Sequence, residues 1–173
     1  GTSKNLSKEK NIKNLINNFD IKSIANSSPK FSLKILENLN KEILKSNKFN
    51  EIKNKFEDLG MDKIEENFWE FVKNNIIFFK DVIKWWRIIN SKKIYDIPDK
   101  DFLKISSELL PRDPFDLSTW EIWTKNISLK TGKKGKDLYM PLRFVLTGEN
   151  QGPELKFLMP LLNRNQVLKK LGF

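Results

Sequence analysis

The chain has 173 residues with 13 Phe and 5 Trp, which is enough length and apolar bulk for one sizeable core or two small lobes in contact and too much for a disordered chain. It has no Cys, which excludes disulfides, zinc fingers and thiolate nucleophiles, and no His, which removes the commonest general base near neutral pH. The 32 Lys/Arg against 22 Asp/Glu, a formal net charge of +10, point to an anionic partner, nucleic acid ahead of a membrane surface.

The carboxylates show neither paired nor metal-ligand spacing, so no catalytic residue and no metal ligand is assigned. No apolar run approaches the roughly 20 residues that span a bilayer, and a cytoplasmic protein without membrane association is the expectation. Residues 121–173 hold ten Lys/Arg against four Asp/Glu, which makes this end the better candidate for an anionic partner.

Nearly every periodic segment reads as helix, with no alternating run of strand length and no internal repeat, so the fold class is all-α. A first helix over about 8–19 carries Ile12, Leu15, Ile16 and Phe19 on one face, and Asn26-Ser27-Ser28-Pro29 marks a loop. Ser32 then suits the N-cap of a helix with Ile35, Leu36, Leu39 and Ile43 on one side. A third helix over about 48–59 stops at Gly60. Apolar residues from Ile64 to Trp86 predict one long central helix over about 63–89, with Asn74-Asn75 as the place where it would break. The stretch 90–99 reads as a connection between two lobes.

Beyond it, 102–110 predicts a short helix ended by Pro111. Ser118 and Glu121 match a capping box for a helix to about 130, which Gly132 stops. The Lys133-Lys134-Gly135-Lys136 loop precedes a short helix placed after Pro141 and closed by Thr147-Gly148. Pro153 fits the first position of a further helix, which Pro160 limits or kinks. Asn163 suits the cap of a last helix through Val167, Leu168 and Leu171.

The run Thr131-Gly132-Lys133-Lys134-Gly135-Lys136-Asp137-Leu138-Tyr139-Met140-Pro141-Leu142-Arg143, then Leu146-Thr147-Gly148 and Gly152-Pro153-Glu154-Leu155, closely resembles the anticodon-binding end of bacterial glutamyl-tRNA synthetases, which are class I aminoacyl-tRNA synthetases. The likeness continues through Leu158, Pro160-Leu161-Leu162, Arg164 and Val167-Leu168. Upstream, Leu110-Pro111, Trp120, Trp123 and Trp85-Trp86-Arg87 are similar to the family's central helix and its entry into that lobe. Phe19-Asp20, Ser28-Pro29-Lys30-Phe31 and Leu39-Asn40 resemble the segment that contacts the tRNA stem. Ser32 and Asn38 depart from the Asp and Trp that the family usually has there.

The resemblance implies a helical bundle of two lobes of the class I anticodon-binding type, with 1–90 as a stem-contact and support lobe and 91–173 as the anticodon-binding lobe. It implies the tRNA-binding portion of a glutamate–tRNA ligase. The HIGH and KMSKS signatures of the family's Rossmann domain are absent, so ATP- and Mg²⁺-dependent charging with glutamate belongs elsewhere and this chain needs no cofactor of its own. The implied partners are glutamate tRNA, with glutamine tRNA a second candidate, and the catalytic domain in cis, in a monomer.

By the same resemblance, Arg143, Gly152, Pro153 and Leu155 match positions that face the anticodon. A guanidinium suits that task because its donor fork pairs with base edges and its plane stacks on a splayed base; the alternative is an arginine that buttresses carbonyls at a helix end. Lys133, Lys134 and Lys136 suit phosphate contact with counterion release, and Lys30 suits the tRNA stem, against the alternative of solvated loops. The helical spacing of Trp85, Trp86, Trp120 and Trp123 reads as core rather than as a stacking platform. A rival reading is a helical protein-interaction module, motivated by aromatic and aliphatic residues around Trp69 and Phe78.

Overall fold

A computed structural model of the chain describes residues 11–24, 26 and 32–173. Among them are ten α-helices and no strand, as the periodicity predicts, and no helix is long and apolar enough to cross a membrane. Lys30, the rest of the Ser28–Phe31 motif and the start of the first predicted helix lie outside the described residues.

Helix α1 (Ile12–Asn17) begins where Asn11 Oδ1 accepts from Lys13 N at 2.9 Å. Its apolar face buries nothing: Ile12, Leu15, Ile16 and Phe19 are all exposed. Helix α2 (Leu33–Ser46) has Ser32 at its N-cap position, without the expected side-chain cap bond. Its C-terminal end docks through buried Leu44, whereas Ile35 and Leu36 stay exposed.

Helix α3 (Phe49–Glu57) brings Phe56 into an aromatic nest with the next segment. The Phe56 ring lies 6.2 Å from Phe68, 6.1 Å from Trp69 and 4.9 Å from Phe79, all edge-on. Such pairs are worth about 0.5–1.5 kcal/mol each beyond their area burial. The Trp69 indole N–H donates to Asn47 O at 2.9 Å. Trp69 is therefore fully enclosed, which removes it from any exposed patch, while Phe78 remains exposed.

The long central helix breaks at the position that Asn74-Asn75 marks. Helix α4 (Glu66–Val72) ends there, a 3₁₀ turn (Phe79–Asp81) follows, and α5 (Val82–Asn90) resumes. Asp81 makes the restart possible, because its carboxylate accepts from Ile77 N at 3.0 Å and Phe78 N at 2.8 Å. A capping side chain satisfies donors that a continuous helix would have paired internally. Residues 91–99 form no helix or strand.

Helix α6 (Lys100–Glu108) is capped by Asp99, which accepts from Phe102 N at 2.9 Å. At α7 (Thr119–Thr131) the expected Ser118–Glu121 capping box is absent; Ser118 makes no side-chain cap bond. Asp116 takes that role instead, with Oδ1 accepting from Ser118 N, Ser118 Oγ and Thr119 N at 2.7–3.0 Å. A carboxylate offers about four lone-pair sites to donors where a hydroxyl offers about two.

Helix α8 (Lys136–Thr147) starts five residues before Pro141 rather than after it. Proline removes one N–H, and that single loss is tolerable so near the start of a helix whose other face is buried through Leu138, Leu142, Val145 and Leu146. Helix α9 (Leu155–Leu158) begins after an N-cap at Glu154, so Pro153 lies in the preceding loop and not at the first helical position. A 3₁₀ turn (Met159–Leu161) carries Pro160, and Asn163 and Gln166 form the capping box of α10 (Arg164–Leu171).

Buried residues form one cluster from Leu44 to Leu171. Helix α4 packs on α9, α10 packs on α6 and α8, and α7 packs on α6, α8 and α9. These contacts place the first turn of α7, the middle of α8 and the start of α9 around one cleft.

Candidate nucleic-acid interface

Tyr139 and Arg143 stand one turn apart on α8 and therefore share a face. Opposite them, Trp120 occupies the first turn of α7. Its ring lies 6.2 Å from Tyr139, tilted by 37°, and 5.9 Å edge-on from Trp123. The two tryptophans share a face, but their environments differ: Trp123 is fully enclosed and donates to Ser106 O at 2.8 Å, while Trp120 stays partly open.

The start of α9 closes the third side. Leu155 is buried and lines the cleft with its apolar side chain. Glu154 and Lys156 form an ion pair of 2.8 Å at the rim. Together these six residues enclose an open cleft of about 230 Å³.

Arg143 is held rather than loose. Its Nη1 donates to Pro153 O at 3.0 Å, and Pro153 is buried. Partial burial pushes the guanidinium pKa down, yet a guanidinium keeps its charge in proteins. The arginine buttresses a carbonyl, as one reading of the sequence has it, and also lines the cleft; one donor serves the protein while others remain for a ligand.

Gly152 has another task. With φ at 149°, it sits where any Cβ would collide with the Trp85 ring. It lets the 149–153 loop lie against α5, and Lys84 fastens the same loop through Glu149 at 2.8 Å. Pro153 supplies the carbonyl that aims Arg143. Of the four residues matched to the anticodon, the structure thus brings Arg143 and Leu155 to the cleft wall and puts Gly152 and Pro153 behind it.

The basic loop also divides. Lys133 pairs with Asp99 at 3.0 Å, lies over the Phe102 ring at 5.3 Å, and has its carbonyl held by Ser128 Oγ at 2.7 Å. Lys134 and Lys136 are exposed. Lys134 lines a second cleft of about 320 Å³ that includes Lys125 and shares Tyr139 with the first. The two clefts therefore form one trough along α7 and α8.

Sequence reasoning missed Trp120, Tyr139, Lys156 and Lys125. For Trp120 the spacing to Trp123 argues for core; the cleft on which it stays partly open is walled by α8 and the start of α9, which lie elsewhere in the sequence.

Residues 99–172 match the anticodon binding domain family. The chain is 38% identical over 174 residues to glutamate–tRNA ligase 1 of Rickettsia felis, covering 99% of this chain and 39% of that protein. Its counterpart in Rickettsia bellii is 37% identical over 173 residues with the same coverage. The chain thus spans about two fifths of the length of the curated relatives it matches. Among solved structures, a glutamate tRNA ligase from Elizabethkingia meningosepticum superposes with a TM-score of 0.75 at 17% identity, covering 93% of this chain and 36% of that one. At that identity the likeness speaks to the fold.

Proposed function

On the premise that nearly the whole chain is homologous to part of the glutamate–tRNA ligases, we propose that it is the tRNA-binding portion of such an enzyme and reads the anticodon. The observation that carries this reading is the cleft in which Trp120, Tyr139 and Arg143 converge. Two aromatic faces and a fixed guanidinium suit a base taken out of its stack, since single-stranded bases are recognised by stacking on aromatic and arginine planes and by hydrogen bonds to their edges. Lys134 and Lys136, with Lys125 along the trough, would hold the flanking phosphates; Lys30 would do so at the tRNA stem. Phosphate contacts position the RNA, and base contacts specify it.

In this reading 91–173 reads the anticodon and 1–90 supports it and meets the stem. Glutamate tRNA is the partner, with glutamine tRNA the second candidate. Charging with glutamate, with ATP and Mg²⁺, would fall to a catalytic portion of the same polypeptide, in a monomeric cytoplasmic enzyme. The exposed apolar residues of α1 and of the first turns of α2 suit contact with that portion. They equally favour the rival reading, a helical protein-interaction module, for this end of the chain.

Competition binding separates the two. A labelled anticodon arm of glutamate tRNA should be displaced from the chain by the same arm unlabelled and far less by the acceptor arm of that tRNA. Equal displacement by both arms, or no binding of either, sinks anticodon reading.

A further inference from the structure

On the side of the molecule where α5 ends and α10 lies, Lys170 is 4% exposed yet has no carboxylate partner among the described residues. Its ammonium donates to Ile88 O and Ser91 O, each at 3.1 Å. These are carbonyls at the C-terminal end of α5, where a cation complements the helix dipole. An ammonium carries three donors, and the two carbonyls take two of them.

The same side chain lines a cleft of about 560 Å³, within the range of small-molecule sites, which join an apolar wall to a few fixed polar groups. Here Ile89, Ile94 and Phe173 give the apolar wall, and Lys92 and Lys169 stand at the rim with no Asp or Glu side chain in the lining. Asp96 and Asp101 line the neighbouring cleft, where Asp96 is already paired with Lys100, and the α-carboxylate of Phe173 makes no ion pair with Lys170.

We propose that this cleft binds a small organic anion, a carboxylate or phosphate ester carried on an apolar group, whose charge meets the third donor of Lys170 and whose apolar part lies on Ile89, Ile94 and Phe173. Burying a charge without a counter-charge is costly, and desolvation pushes the Lys170 pKa down; an anion in the cleft relieves that cost. Bound there, it bridges the end of α5 and α10, the same junction that Lys170 already ties. The site is separate from the Trp120–Arg143 cleft and requires no RNA.

The test uses the chain with 4-fluorobenzoate, phenyl phosphate, inorganic phosphate and uncharged 4-fluorobenzyl alcohol as probes. Binding is followed by fluorine line width for the two fluorinated probes and by amide shifts of Ser91 and Lys170 for all four. The expected result is that one or both aromatic anions bind at least about tenfold tighter than inorganic phosphate and the alcohol, since a charge-assisted bond to a buried group supplies that much; the arm that binds best tells carboxylate from phosphate ester. Lys170→Met should abolish the preference for the anion. Ile94→Trp, which fills the cleft and leaves every lysine in place, should abolish binding. Equal affinity for anion and alcohol, shifts confined to other regions, or unaltered binding by Ile94→Trp would overturn the proposal.

Discussion

Arg143 Nη1 and Pro153 O are 3.0 Å apart, so the cation that lines the cleft is tied to the loop behind it. Preorganisation of this kind reduces what is lost on binding. Arg143→Ala should therefore weaken binding of the anticodon arm by about 1–3 kcal/mol. Arg143→Lys should recover little of it, because a point charge on a flexible stem reproduces neither the fork nor the plane. Recovery of full affinity by lysine would mean that only charge matters there.

Gly152→Ala should act on stability before it acts on RNA. Its Cβ meets Trp85 at a backbone angle that favours glycine, and overpacking of this kind costs about 1–3 kcal/mol. Urea unfolding measures it. An unchanged midpoint would show that α5 and the 149–153 loop are less tightly fitted than the geometry indicates.

The two kinds of lysine in the basic loop should separate experimentally. Lys134→Gln and Lys136→Gln should each lower the dependence of log affinity on log salt by about 0.7, the value for one phosphate contact on a single strand. Lys133→Gln should leave that slope alone, since its ammonium is engaged by Asp99, and should lower stability by up to about 1 kcal/mol. Salt titrations from low to physiological strength decide this, and equal slope changes for all three lysines would count against the division.

Acid sensitivity of the α7 start follows from Asp116. Its carboxyl is held below the usual range, first by the Ser118 hydroxyl and then by the Ser118 and Thr119 N–H groups. A depressed folded pKa stabilises the protein above the unfolded value of about 4 and loses that contribution as pH falls through the folded value. Asp116→Asn should remove this part of the acid limb while keeping most of the neutral-pH fold. An identical acid limb in the variant would place the sensitivity elsewhere.

How much of this was legible before the structure follows a physical divide. Gly132 and Asn163 were readable because a left-handed helix stop and a capping box are decided within a few residues. Ser118 was misread for the same local reason: it has the right spacing to Glu121, and nothing in that spacing shows that Asp116 outcompetes it. Pro153 was placed one element too far because α9 waits two residues to begin. Gly152 against Trp85 and Lys170 against Ile88 join residues far apart in the chain, and no periodicity reports such pairs. Trp120 and Trp123 are equivalent by spacing; only the packing of α7 on α6, α8 and α9 leaves one of them open.

The central claim is that an unstacked anticodon base enters the cleft between Trp120, Tyr139 and Arg143. The most direct measurement places 2-aminopurine at each anticodon position of the glutamate tRNA arm and follows its fluorescence as the chain is added. At one position or more, quenching by stacking on aromatic faces should occur with the native chain and be reduced by Trp120→Leu at saturating protein. If no position responds, or if Trp120→Leu quenches as fully as the native chain, the base does not lie in this cleft.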